Sequence, residues 1–433
     1  MTTVLLVLVL SFTILLVLNV PVAFCMGIAA LLSVLVMGDL PSFRVVAQVM
    51  ATGIDSFALL AIPFFILSGL FMAHGGIARR LIDFANGLIG RFRGGLALVN
   101  ILTCMLFGSI SGSATAAVSA VGSFMVPLMN KRGYHRDFNA AVSVVAATTG
   151  LLIPPSNVMI VYSLATGGMV SIAAIFIAGI LPGILVGIGL MIVAAVISVR
   201  NNYGRGERFG IGETFILFLK AIPALLLIFI VLGGILTGTF TATEASAIAV
   251  VYSFILSVFG YREVKLRDIP GILLQCAVTT SVVMLLIATS MAMSWVLSYQ
   301  NVPQNISEFL LGLSSNKIVI LLIINALMLI VGIFMDMTPA VLIFTPIFLP
   351  IVRSLGVNLV HFGVIMVMNL CIGLCTPPVG TCLFLGCGIA HTTVTKVMRH
   401  IVPFFISMVI TLLICTYVPE ISLALPRWFG LIK

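Results

Sequence analysis

Long apolar runs follow one another along this chain from Val4 to Val418, parted by short polar segments. Residues 4–18 and 20–37 read as two helices hinged at Asn19–Val20–Pro21, and 57–73 as a third. Residues 42–56, between them, are mixed in character and suit a membrane interface. In 74–95, Arg79, Arg80, Arg91 and Arg93 alternate with apolar positions at helical spacing, as in an amphipathic helix lying on a membrane surface. Residues 170–199, 213–236, 240–260, 270–298 and 400–418 are further spans, and 299–316 is a second interfacial arm.

Two segments fold back instead. Residues 95–130 are apolar except for the tip SGSAT at 111–115, with basic residues at both ends. Each limb is read as about 16 residues, roughly 24 Å of helix against a hydrocarbon core of about 30 Å. The expectation is a re-entrant hairpin with its small, hydroxyl-rich tip inside the membrane. Residues 317–352 make a second hairpin, with its tip MDMTP at 335–339. Beside each hairpin runs a helix with a proline pair inside it: 137–168 broken at Pro154–Pro155, and 358–390 broken at Pro377–Pro378. Each pair removes two backbone donors and clashes with the preceding turn. Irregular backbone is tolerated at membrane depth only where protein buries it or where it lines a cavity.

An offset of 223 residues superposes the two halves. It aligns Gly150 with Gly373, Pro154–Pro155 with Pro377–Pro378, Thr115 with Thr338, Ala117 with Ala340, Pro127 with Pro350 and Gly133 with Gly356. The chain therefore reads as two copies of one unit. If the first copy starts outside and the second inside, sixteen of the 21 basic residues fall on the inner side. Only Arg44, Lys317, Arg353, Arg427 and Lys433 fall outside. That is the charge bias of an inverted repeat under the positive-inside rule.

Composition narrows the class. Hydrophobic residues are 61% of the 433 and charged residues 8%, against roughly 25% charged in soluble domains. The expected fold is an all-α polytopic membrane protein of two inverted repeats, each with a re-entrant hairpin and a broken helix. The net charge of +9 is spread over short loops, which suits topology and not nucleic acid. The run from Val4 has no preceding basic residue, so it reads as a retained span. No lysine follows a glycine, so no phosphate loop exists and ATP is not the expected energy source. The eight cysteines all lie in apolar stretches and read as small packing residues. His74, His135, His361, His391 and His400 sit near predicted helix ends and read as interface anchors.

A hairpin tip beside a broken helix gathers four helix ends. Two present carbonyls, which favour a cation, and two present N–H groups, which favour an anion. This is the design of sodium-coupled secondary carriers. Ser111, Ser113 and Thr115 can supply oxygens opposite Pro154–Pro155–Ser156–Asn157; small size for close helix packing is their competing role. Asp336 is the sole acid of the second hairpin, aligns with Ser113, and doubles as a cap for the helix near Thr338. Thr376 and Thr381 flank the second break, and Glu244 reads as a capping residue.

TGTFTATEASAIAVVYS at 237–253, the two hairpin-and-proline units, and IPFFILSG at 62–69 resemble the large membrane subunit of tripartite ATP-independent periplasmic (TRAP) transporters, over essentially the whole chain. Ala242 departs from the proline common there. The resemblance implies an elevator-type carrier of organic acids in the bacterial inner membrane. Its scaffold would be 1–75 and 201–298, its arms 76–94 and 299–316, and its mobile halves 95–200 and 317–433, with both termini periplasmic. Sodium would bind around Gly112, Ser113, Thr115, Gly150, Pro154 and Ser156, and again around Asp336, Thr338, Gly373, Thr376 and Pro378. The anion would lie between the tips, touching Ser111, Ser113, Thr115, Ser156, Asn157, Thr338 and Thr381. Two partners are implied: a small four-span membrane subunit and a periplasmic substrate-binding protein. Rival readings are a stand-alone sodium/dicarboxylate symporter, an intramembrane enzyme, which lacks a clustered acid–base set, and a channel-like structural subunit.

Overall fold

The computed structural model describes residues 2–432 apart from 39–41, 205, 207–208, 315 and 378–379. Among these, every regular element is a helix. Helices α1 (Thr2–Val17) and α2 (Val22–Met37) meet at Asn19, whose φ of 61° turns the chain just before Pro21. They lead into α3 (Ser42–Ile54) and α4 (Ala61–His74), and then into the short amphipathic α5 (Ile77–Ile89). The first hairpin is α6 (Gly95–Ser111) and α7 (Ala114–Lys131). The first broken helix is α8 (Arg136–Thr149) and α9 (Asn157–Ala165), followed by α10 (Ile172–Arg200). After α11 (Ile211–Leu236), α12 (Ala242–Ile255), α13 (Ile269–Tyr299) and the second arm α14 (Val302–Leu313), the pattern returns. Its second form is the hairpin α15 (Lys317–Phe334) and α16 (Met337–Ser354), the broken helix α17 (Leu359–Gly373) and α18 (Thr381–Ala390), and α19 (Val394–Tyr417). A last helix, α20 (Glu420–Trp428), closes the chain.

Helix starts repeat almost at the offset found in the sequence. From α6 to α15 it is 317 − 95 = 222, from α7 to α16 it is 337 − 114 = 223, and from α8 to α17 it is 359 − 136 = 223. From α9 to α18 it is 381 − 157 = 224, and from α10 to α19 it is 394 − 172 = 222. Eight helices among the described residues are long and apolar enough to cross a membrane. The hairpin limbs are longer than the sequence suggests: α6 has 17 residues and α7, α15 and α16 have 18 each. At about 27 Å for 18 residues, length alone no longer separates a re-entrant limb from a short span. The composition of the tips carries that distinction.

The broken helices form the centre. Every position of α8 from Phe138 to Thr149 is buried, and so is every position of α17 from Val360 to Gly373. Helices apolar all round belong inside a bundle. Around them the two halves interleave: α18 packs on α7 and α8, while α9 packs on α16. A second group, α1 to α4 with α11 to α13, packs mainly on itself. The two arms join the groups, α5 lying between α6 and α11, and α14 between α13 and α16. The apolar face of α5 (Ile77, Ala78, Leu81, Ile82, Phe84 and Ala85) is therefore buried against protein. At the start of α12, Glu244 accepts from the Thr241 N–H at 2.8 Å and the Thr241 hydroxyl accepts from the Glu244 N–H at 3.2 Å. That reciprocal pair is the capping expected of Glu244. Helix α20 was not foreseen; it docks on α10 and α17 through Leu423 and Pro426. Its length of nine residues and the proline within it hide it from periodicity.

Candidate functional site

At the first hairpin, α6 ends where Gly112 turns left-handed (φ 61°), and Ser113 caps α7, its hydroxyl accepting from the Ala116 N–H at 3.2 Å. Ser113 and Thr115 hydroxyls are 3.0 Å apart, and the Ser111 hydroxyl donates to the Ser113 carbonyl at 3.3 Å. Ser111 is buried, Ser113 half-buried and Thr115 exposed. The tip touches the break: a Cβ on Gly112 would lie 3.1 Å from Asn157 Nδ2 and 3.6 Å from the Pro155 carbonyl oxygen. Around Pro154–Pro155, whose peptide bond is cis, the chain is buried, and Ser156 precedes the start of α9 at Asn157. Here the Ser156 hydroxyl and Asn157 Oδ1 are buried oxygens with no hydrogen-bond partner among the described residues.

The second break is built alike but not identically. Asp336 caps α16, Oδ1 accepting from the Met337 N–H at 2.9 Å. Asp336 itself is exposed. Cys382, near the start of α18, lies within electrostatic range of it. Thr338 and Thr381 are half-buried. Thr376 is buried and its hydroxyl donates to the Gly373 carbonyl at 2.7 Å. Pro378 lies outside the described residues.

Two glycine crossings hold this arrangement. Gly108 of α6 meets Gly150 at the end of α8: a Cβ on Gly150 would sit 2.4 Å from the Gly108 Cα. In the second half Gly332 of α15 meets Gly373 at the end of α17, where a Cβ on Gly373 would sit 2.5 Å from the Gly332 carbonyl oxygen. Each hairpin thus crosses its broken helix backbone to backbone at the break, which only glycine permits. Gly69 of α4 makes a third close approach, 2.7 Å from its would-be Cβ to the Ser111 carbonyl oxygen. The two breaks also touch. Cys371 Sγ donates to the Thr148 carbonyl at 3.4 Å and Cys375 Sγ to that of Val144 at 3.7 Å. Thr148 and Cys371 stand 223 residues apart, at equivalent places in the repeat. All eight cysteines are buried and unpaired.

The sequence did not disclose a buried polar chain behind the second break. Asn369 Nδ2 donates to Asn325 Oδ1 at 2.8 Å, and Asn325 Nδ2 to the Thr416 hydroxyl at 3.0 Å. His361 Nε2 lies 3.2 Å from the Thr416 carbonyl oxygen and Nδ1 2.6 Å from the Ser422 hydroxyl. At 2% exposure His361 is a core residue, not an interface anchor; α20 covers it and supplies Ser422.

Residues 9–421 match the family model described as "Tripartite ATP-independent periplasmic transporter, DctM component". The chain is 51% identical over 423 residues to uncharacterized protein YgiK of Salmonella typhimurium, covering 97% of this chain and 96% of that one. It is 41% identical over 406 residues to the C4-dicarboxylate TRAP transporter large permease protein DctM of Pseudomonas aeruginosa, covering 94% of each. Among solved structures, the YdaH transporter of Alcanivorax borkumensis shares the fold, with a TM-score of 0.61 at 16% identity over 91% of this chain and 90% of that one. With its helical frame, its paired breaks and a match across nearly its full length, the chain belongs to the DctM-component family of tripartite ATP-independent periplasmic transporters, a family of membrane-embedded transporter permeases.

Proposed function

We propose that the chain imports an organic-acid anion by sodium-coupled symport, moving the hairpin-bearing half of the protein against the α1–α4 and α11–α13 frame. The observation that carries this reading is the pair of buried, unpartnered oxygens, Ser156 Oγ and Asn157 Oδ1, beside the left-handed corner at Gly112. A buried oxygen without a donor costs about 1–3 kcal/mol, and a cation offsets that cost. Helices α6 and α8 end at this place, so their terminal carbonyls add negative potential. The first sodium site comprises Gly112, Ser113, Thr115, Gly150, Pro154 and Ser156. The second comprises Asp336, Thr338, Gly373, Thr376 and Pro378.

Between them the anion meets hydroxyls and helix N-termini: Ser111, Ser113, Thr115, Ser156, Asn157, Thr338 and Thr381. The hairpin tips and breaks carry no lysine or arginine, so the bound sodium and the starts of α7, α9, α16 and α18 balance the carboxylate. The two halves face opposite sides of the inner membrane, both termini are periplasmic, and a four-span small subunit and a periplasmic binding protein complete the carrier. Relatives carry C4-dicarboxylates by name, which makes these the first substrates to try.

The test is reconstitution with the small subunit into proteoliposomes, with labelled C4-dicarboxylate outside. Uptake should need both an inward sodium gradient and the binding protein. Equal uptake with potassium in place of sodium would remove the coupling ion. Uptake without the binding protein would make the chain a stand-alone symporter.

A further inference from the structure

We propose that His135, Asp137 and His400 form a site for one divalent transition-metal ion of the zinc class, bridging the start of α8 to the first turns of α19. Their ligand atoms all lie within 4.8 Å of one another. His135 Nδ1 is 3.7 Å from Asp137 Oδ2, and the two imidazole rings are 5.1 Å apart at their centroids. Ligands about 2.0–2.2 Å from a tetrahedral zinc are roughly 3.4 Å apart, so rotamer adjustments of up to about 1.4 Å (4.8 − 3.4) close the set.

The surroundings fix the ligands in advance. The main-chain N–H of His135 donates to the Tyr203 hydroxyl at 3.2 Å, which anchors the backbone that carries this imidazole. The Thr392 hydroxyl donates to Asp137 Oδ1, orienting that carboxylate and leaving Oδ2 toward His135. An outer hydrogen bond of this kind on the carboxylate is characteristic of metal ligands. The His135 side chain is 59% exposed and that of Asp137 13%, which gives an entry path and a partly desolvated seat.

The ligand set also selects the ion. Calcium and magnesium take oxygen ligands, and two of the three ligands here are imidazole nitrogens. Arg136, Lys396 and Arg399 flank the three residues in sequence and oppose any ion held by charge alone. Imidazole nitrogens suit zinc, nickel and copper. Three protein ligands leave a fourth position for water. The bridge would join residues 400 − 135 = 265 positions apart, one from each half of the repeat.

The experiment titrates chelator-stripped, detergent-purified full-length protein with zinc against a chromophoric competitor, and follows thermal unfolding. One zinc per chain is expected, with a rise in melting temperature. Thr392→Val should weaken binding about tenfold or more, and His400→Gln should abolish both signals while keeping the elution profile of a folded monodisperse protein. Should His400→Gln fail to fold, cobalt(II) added to the wild-type protein decides, through the visible bands of tetrahedral ligation by nitrogen and oxygen. Absence of zinc binding by the wild-type protein, absence of those bands, or equal binding by wild-type and His400→Gln proteins overturns the site.

Discussion

Gly150→Ala tests the backbone crossing on which the first break depends. The added methyl would lie 2.4 Å from Gly108 Cα, 2.8 Å from Gly108 C and 3.1 Å from the Cys104 carbonyl oxygen. Ordinary contact begins at 3.4 Å, so the shortfall is 3.4 − 2.4 = 1.0 Å. All three neighbours are main-chain atoms, and no side chain can swing aside. Helices α6 and α8 must separate by about 1 Å, at an overpacking cost of about 1–3 kcal/mol.

Gly112 stands one turn beyond Gly108, so that shift is delivered to the tip facing Asn157. Metal–ligand distances tolerate only about 0.2 Å. Sodium-dependent uptake in membrane vesicles should therefore show an apparent sodium affinity about tenfold weaker or worse, each tenfold being 1.4 kcal/mol. Membrane-inserted yield should stay comparable and the melting temperature should fall. Gly271→Ala, whose Cβ would meet nothing within 4 Å, is the matched control. A Gly150→Ala protein with wild-type sodium affinity and wild-type melting would show that the crossing does not position the tip.

Asp336→Asn keeps a side chain that caps α16 as well as aspartate does but removes its charge. It should retain stability and lose sodium-dependent uptake; full uptake would leave Asp336 with capping alone. Ser156→Ala deletes a buried hydroxyl that has no partner, so melting should hold or rise while sodium affinity drops about tenfold. Unchanged affinity would mean that this oxygen holds no ion. His361→Phe removes the ring nitrogen facing the Thr416 carbonyl, while the Ser422 hydroxyl keeps its bond to the Pro419 carbonyl. It should lower stability by about 1–3 kcal/mol for that one carbonyl, read by denaturation, with sodium dependence intact in the surviving protein.

Local chemistry was legible from the sequence. Pro154–Pro155 and Pro377–Pro378 mark breaks in their helices, and Asp336 ahead of Thr338 reads as the cap that it makes on α16. The helix starts accordingly fall where the repeat places them, within one residue of the 223 offset. Contacts between distant segments were not legible. Gly108 and Gly150 look like two ordinary small residues until α6 and α8 are laid across each other. His135 and His400 each resemble a lone surface histidine, and only the packing of α19 on α8 brings them together. His361 was misread because the helix that buries it, α20, has too few turns to show a period.

The exchange of partners between halves, α7 with α18 and α9 with α16, bears on how the protein is made. When the ribosome has finished α7, its neighbour α18 is still some 250 residues from synthesis. At about 5–20 residues per second the interval is a few tens of seconds. During that time the faces of α7 and α8 that α18 covers have no partner, and the newborn segment depends on the insertion machinery for shelter. Expressed alone, residues 1–200 should therefore be cleared by membrane proteases, whereas co-expression with residues 201–433 should rescue them.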